Sequence, residues 1–318
     1  MAEDALNPSH LFGHVQDAPY FDVPRKLSPD GHGHIYLPQP LAKPLTDADG
    51  KPVLDAHGHP RYEPVWRAQT SSPLVNQIIQ PLDFVLTKFM VLEVVVALIM
   101  CVLFMGLAFR IRHGGTPKGR LWNMLEAFLI YLRDFVSVPS IGSHDAHKFG
   151  PLVWTVFFFV LGCNLMGMLP WAGSPTASFA VTAALAFVVF LTVIGSGMAR
   201  LGVWGFWKAQ VPHMDLPKPV AILLVPMIFC IEIFGLLVKH FVLAVRLLAN
   251  MIGGHVVLAV LLAFITATAS SLMFWGVMPA SVLGATALSL LELLVAFIQA
   301  YIFAFLTALF IGMAVHPH

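Results

Sequence analysis

Apolar and polar positions divide this chain into a polar first quarter and a remainder built of long apolar runs. From about residue 84 onward each run is long enough for the ~20 helical residues that cross a hydrocarbon core of about 30 Å. The first covers about 84–109, the next two about 151–169 and 177–199, and two very long ones about 220–271 and 282–315. Between 121 and 138 the pattern changes: apolar positions alternate with Arg120, Asn123, Glu126, Arg133 and Asp134. That period predicts an amphipathic helix lying at the membrane interface without crossing it. The fold class expected is therefore all-α integral membrane, with several transmembrane helices, this interfacial helix and a long C-terminal hairpin.

The hairpin is set apart by its length. Residues 282–315 carry a single charged side chain, Glu292, and a straight helix over them would reach about 51 Å at 1.5 Å per residue. An upright helix of that length does not fit, so a steep tilt is expected; breaks at Gly235, at the Gly253–Gly254 pair, at Gly284 or at Gly312 are the alternative.

Residues 1–83 hold 10 of the 17 acidic side chains and 6 of the 14 histidines, with many prolines and no amphipathic period. They read as a polar, loop-rich extracytoplasmic segment ahead of a membrane domain, 84–318, with about five membrane-embedded helices. No basic stretch followed by a short apolar core opens the chain, so insertion is expected to begin at the first apolar run. Lys and Arg fix the orientation. Six lie between 110 and 148 and three between 200 and 218, whereas 170–176 and 271–281 have none. The first two connections are thus cytoplasmic and the N-terminus outside. A net charge of +1 and the lack of a basic run interleaved with aromatics argue against nucleic acid. Cys101, Cys163 and Cys230 stand singly in apolar runs and read as packing residues, with no cofactor implied.

Against this background Arg246 stands out. A guanidinium at the bilayer centre costs about 2.5–3.5 kcal/mol on insertion scales, and it does not lose its proton to escape. Glu232, Lys239 and Arg246 are seven apart, about 700° of helix, so they share one stripe, which Asn250 extends four residues on. Glu292 and Gln299 make a matching stripe on the second long run. Intramembrane ionisable groups point to an ion path or proton relay. Bland readings stand beside this one. Glu292 could pair with Arg246 as a structural ion pair, Asn250 and Gln299 could serve as interhelical glue, Glu232 and Lys239 could snorkel, and His255 could be a packed core histidine. His255, nine residues after Arg246, falls half a turn from the Arg face of a straight helix, which favours Glu292 as its partner in a relay apart from Arg246.

The stretch from Glu232-Ile-Phe-Gly-Leu-Leu-Val-Lys239 to Val245-Arg-Leu-Leu-Ala-Asn-Met-Ile-Gly-Gly-His255 closely resembles the signature of subunit a of the rotary ATP synthase. Glu292-Leu-Leu-Val-Ala-Phe-Ile-Gln-Ala-Tyr-Ile-Phe303 is similar to that family's last helix, and Asn164-Leu-Met-Gly-Met-Leu-Pro170 to its Asn-Leu-x-Gly-x-x-Pro segment. The resemblance covers about residues 84–318. It implies a non-catalytic, ion-translocating stator subunit of a bacterial inner membrane, the ion being a proton, with its C-terminus cytoplasmic. Partners would be a c-subunit ring, peripheral-stalk b subunits and, indirectly, the soluble catalytic sector. Arg246 would be the essential arginine facing the ring carboxylate, flanked by Asn250 and Gln299; His255 and Glu292 would line the half-channel open to the outside, and Glu232 the one open to the cytoplasm. His240 replaces a frequent Pro and Val242 a frequently small, hydroxylated residue, and the N-terminal segment exceeds the family's usual length.

Two other classes compete. A secondary transporter would use Arg246 to bind an anionic substrate at the midplane, and it predicts an inverted repeat that the sequence lacks. A metalloenzyme would use His32/His34, His57/His59 and His144/His147, which sit in loops without an HExxH-type helix.

Overall fold

Every long apolar run becomes a helix in the computed structural model of the chain, which describes residues 17–23, 34–39, 42–47, 53–54, 62–64, 86–112, 119–169, 172–210 and 218–316. Five helices among these residues are long and apolar enough to cross a membrane. They are α1 (Lys88–Arg112), α4 (Ala146–Gly167), α5 (Phe179–Leu201), α7 (Lys218–Ala267) and α8 (Phe274–Val315). The chain divides into two compact units, Asp17–Leu92 and the residues from Glu93 on.

The described residues of the first unit include short strands. Two antiparallel pairs form, β1 (Tyr20–Asp22) with β2 (His34–Tyr36) and β3 (Ala42–Pro44) with β4 (Tyr62–Pro64). Its polar side chains also complete the start of α1, where helix N–H groups lack partners. Asp17 Oδ1 accepts from the Phe89 N–H at 3.3 Å, and the Gln39 side chain brackets Leu86, accepting from its N–H and donating to its carbonyl. Burial pushes the Asp17 carboxyl above the ordinary carboxylate range, and hydrogen bonds from Thr87 and Phe89 offset part of that rise.

In the second unit the segment expected at the interface is one helical run in three parts: α2 (Arg120–Tyr131), a π-helical turn (Leu132–Ser137) and α3 (Val138–Ile141). Pro139 has no N–H to donate and its ring excludes the carbonyl four residues back, so the widened turn just before it relieves the conflict. The Arg110 guanidinium lies 4.6 Å over the Trp122 ring, and Gly106 faces the same ring with no room for a Cβ, so α2 is tied to the end of α1. A short helix that the hydrophobic pattern does not predict, α6 (Val203–Ala209), follows Gly202, whose φ of 74° reverses the chain.

The two long helices are unbroken through all the glycines that could have bent them. The apolar part of α7, Leu224–Ala267, has 44 residues, about 66 Å, more than twice the ~30 Å core, so it is too long to stand upright in a bilayer. Two of these glycines, Gly254 and Gly312, serve close approach instead. A Cβ on Gly254 would meet the Glu292 carboxylate at 2.9 Å, and one on Gly312 would collide with the Ser140 carbonyl. Helix α8 buries the row Ala300, Phe303, Ala304, Ala308 and Ile311 against Val153, Val156 and Val160 of α4 and Val193 of α5. Helix α7 runs antiparallel to α8, with His240 beside Phe310, Asn250 beside Gln299 and Gly254 beside Glu292. It leaves Ile231, Phe234, Leu237, Phe241 and Val245 exposed, an apolar face that suits lipid or a partner helix.

Candidate functional site

Helices α7 and α8 enclose two cavities, separated by a closed stretch. The first, of about 240 Å³, is lined by Asn250, Gly253, Gly254, Glu292, Gln299 and Asn164 among others. The second, of about 480 Å³, is lined by Glu232, Lys239, Phe310, Met313 and His316, with Ser140 and Gly142 from the α3 turn. Between them Leu243, Ala244, Phe303, Ala304 and Thr307 are all buried. Arg246 lies on this intervening stretch of α7, exposed on its outer face, and makes no ion pair or hydrogen bond among the described residues.

The alternative reading, a structural pair between Glu292 and Arg246, is therefore not realised among the described residues. Glu292 turns instead to His255, whose Nδ1 lies 2.9 Å from Glu292 Oε1, with the two side chains only 11% and 18% exposed. The His255 ring is held by main chain on both sides: Nδ1 is 2.9 Å from the Met251 carbonyl and Nε2 is 2.9 Å from the Gly167 carbonyl. Carbonyls only accept, so a ring with both protons satisfies both, and a neutral ring leaves one of them without a donor. Because Nδ1–H is aimed at Met251, Glu292 Oε1 is buried without an aligned donor of its own. An imidazole next to such an oxygen can hand over or recover one proton with little movement of heavy atoms.

Asn250 and Gln299 meet as the paired stripes predict, Asn250 Nδ2 donating to Gln299 Oε1 at 2.9 Å. Gln299 is 2% exposed and its Nε2 has no partner, so this buried amide keeps a free donor at the edge of the cavity. Glu232 and Lys239 do share a cavity, yet among the described residues neither makes an ion pair.

A second set of polar groups completes the first cavity. Thr176 donates to Asn164 Oδ1 at 2.8 Å, Ser174 and Thr176 hydroxyls lie 2.7 Å apart, and Asn164 Nδ2 donates to the Ala296 carbonyl at 3.4 Å. All three side chains are buried. This chain of hydroxyls and an amide runs from the turn after α4 to the cavity wall. Asn164 sits within the motif noted in the sequence, but nothing in its own segment reveals a partner twelve residues on. Among the described residues no three His, Cys, Asp or Glu groups are placed to hold a metal ion; His32, His57 and His59 lie outside the described residues.

Known proteins bear on this arrangement. The family model described as ATP synthase A chain matches residues 90–312, which includes every polar side chain of both cavities except His316. A protein of Myxococcus xanthus named ATP synthase subunit a is 38% identical over 240 residues, 74% of this chain and 76% of that one. A protein of the same name from Chloroherpeton thalassium is 38% identical over 236 residues, covering 73% and 67% of the two chains. In Anaeromyxobacter dehalogenans a third is 40% identical over 205 residues, 64% of this chain and 51% of that protein's length.

Proposed function

The chain belongs to the ATP synthase A chain family, and from that premise we propose that it is the proton-translocating stator subunit of its complex, with one half-channel in each cavity. The observation that carries the reading is Arg246, a cation without a partner among the described residues, exposed on α7 between two separate cavities that each hold polar side chains. An arginine held outward is placed for a neighbouring chain, whereas a transporter would enclose it around a small substrate. The partner that fits is a rotor ring of c subunits with a carboxylate in each.

In this mechanism a proton enters the first cavity from the outside, past a wall that Ser174, Thr176 and Asn164 hold in place, reaches His255 and Glu292, and is given to a ring carboxylate facing the first cavity. The neutralised carboxylate turns into lipid. After a revolution it meets the second cavity, lined by Glu232 and Lys239, and then Arg246. An adjacent guanidinium lowers a carboxyl pKa by about 1–3 units, or about 1.4–4 kcal/mol, enough to expel the proton. That is on the scale of about 2.3 kcal/mol per 100 mV of membrane potential, so the step stays reversible. The buried side chains around Leu243 and Phe303 block direct leakage. Asn250 and Gln299 border the contact.

The chain itself is non-catalytic in this account, and binds neither nucleotide nor nucleic acid. It lies in the bacterial inner membrane with the N-terminus outside and residues 232–239 and 309–316 toward the cytoplasm, held by peripheral-stalk b subunits and coupled through the ring to the soluble catalytic sector. ATP-driven acidification of sealed vesicles tests the reading. Arg246→Ala is expected to abolish acidification with the subunit still incorporated, and normal pumping in that variant would sink the mechanism.

A further inference from the structure

The second cavity ends at a cluster of charged groups that the half-channel account does not use. Asp145 stands at the N-terminal boundary of α4, where an Asp ordinarily caps the first free N–H groups, yet its carboxylate makes no capping bond. It faces side chains instead. His144 Nδ1 lies 3.3 Å from Oδ1 and His316 Nε2 lies 3.3 Å from Oδ2. The carboxylate is only 11% exposed and Oδ2 has no aligned hydrogen bond, although the His316 ring beside it is 54% exposed. His316 is fixed by packing. Its N–H donates to the Gly312 carbonyl at 2.9 Å, and Gly312 lies directly on the Ser140 backbone with no room for a side chain. His316, Gly142 and Ser140 line the same cavity as Glu232 and Lys239.

We propose that His316 and Asp145 form the proton-exchange station at the cytoplasmic entrance of this cavity, a role that rests on the proton half-channel reading above. The imidazole takes a proton from a buffer acid, shares it as imidazolium with Asp145 Oδ2, and releases it to water in the cavity on the way to Glu232; the reverse sequence carries protons out. The groups facing Asp145 are His144, His316 and Arg200, and the His144 contact first, then the Arg200 charge, hold its carboxyl below the ordinary carboxylate range. Asp145 therefore stays ionised through the neutral range and presents a fixed negative charge to the His316 ring. The need for such a station follows from rates. Even at a diffusion limit of about 10⁹–10¹⁰ M⁻¹ s⁻¹, a site drawing free protons at pH 7 captures only about 10²–10³ per second. An exposed imidazole anchored to a carboxylate draws on buffer molecules, which are far more abundant than free protons.

The test uses the assembled complex in inverted vesicles, whose cytoplasmic face meets the external buffer, and follows ATP-driven acidification at alkaline pH. In dilute buffer His316→Ala is expected to pump roughly tenfold more slowly than wild type, the lower end of the gain from focusing charge at an entrance. Concentrated imidazole in the medium restores it to the wild-type rate, while the wild type itself does not respond. Asp145→Asn, which keeps an oxygen acceptor but not the charge, shows a smaller loss with the same rescue. Wild-type pumping by His316→Ala in dilute buffer would overturn the proposal, and so would a loss that imidazole does not repair, because that result assigns the contact to packing alone. Failure of the wild type to acidify vesicles would instead overturn the half-channel reading.

Discussion

The two cavities beside Arg246 are built on opposite plans. In the first, of about 240 Å³, polar groups are held by partners: Glu292 beside His255, which is itself set between two carbonyls, Asn250 on Gln299, Asn164 on Thr176. In the second, of about 480 Å³, Glu232 and Lys239 stand without ion-pair partners among the described residues, and the fixed contacts lie at its rim, around Asp145. A proton needs a chain of donors and acceptors in a narrow dry passage, but in a wide one water supplies it. The narrow side should therefore be sensitive to single atoms, and the wide side mainly to its entrance and walls.

Glu292→Gln should break that comparison most sharply. The amide keeps the shape of the side chain but does not exchange a proton with His255, so ATP-driven pumping should fall by about a hundredfold with the subunit still assembled. Unchanged pumping with loss of assembly would make the His255–Glu292 contact structural. Next in size is Gly312→Ala, which forces a Cβ into the Ser140 carbonyl and should cost about 1–3 kcal/mol, read as a lower unfolding temperature of the purified complex. Gly254→Ala sharpens the contrast, since a Cβ 2.9 Å from Glu292 Oε1 moves the carboxylate off His255. Pumping should fall several-fold while thermal stability holds or rises, because Ala favours helix over Gly by about 1 kcal/mol. A Gly253→Ala control has open space around its Cβ and should pump normally. The smallest effect is expected for Asn250→Ala, which removes one hydrogen bond worth about 0.6 kcal/mol in a membrane interior, detectable as a modest loss in thermal stability.

Legibility in the sequence followed the range of the interactions. Period-seven spacing placed Glu232, Lys239 and Arg246 on one stripe, and the offset of nine set His255 apart, because both depend only on helix geometry. Helix existence was readable from apolar length, while the ends shifted by a few residues where polar side chains such as Asp17 and Gln39 complete a terminus. The glycines stood as the alternative of bent helices, and two of them, Gly254 and Gly312, are instead points of close approach whose partners, Glu292 and Ser140, lie far away in the chain. Long-range polar networks were not readable at all. Asn164 reaches the Ala296 carbonyl 132 residues on, and no local pattern encodes such a pairing. Likewise, the Asp145–His316 contact depends on where α8 ends against the α3 turn.

The central claim is that the two cavities open to opposite sides of the membrane and are not joined. Sidedness of thiol labelling tests it most directly, in the assembled complex with Cys101, Cys163 and Cys230 replaced. Gly253→Cys reports on the first cavity, where a Cβ meets open space, and Met313→Cys on the second. With a membrane-impermeant thiol reagent, Gly253→Cys should react only from the outside and Met313→Cys only from the cytoplasm. Reaction of both from the same side would mean a single continuous channel, and would contradict the account.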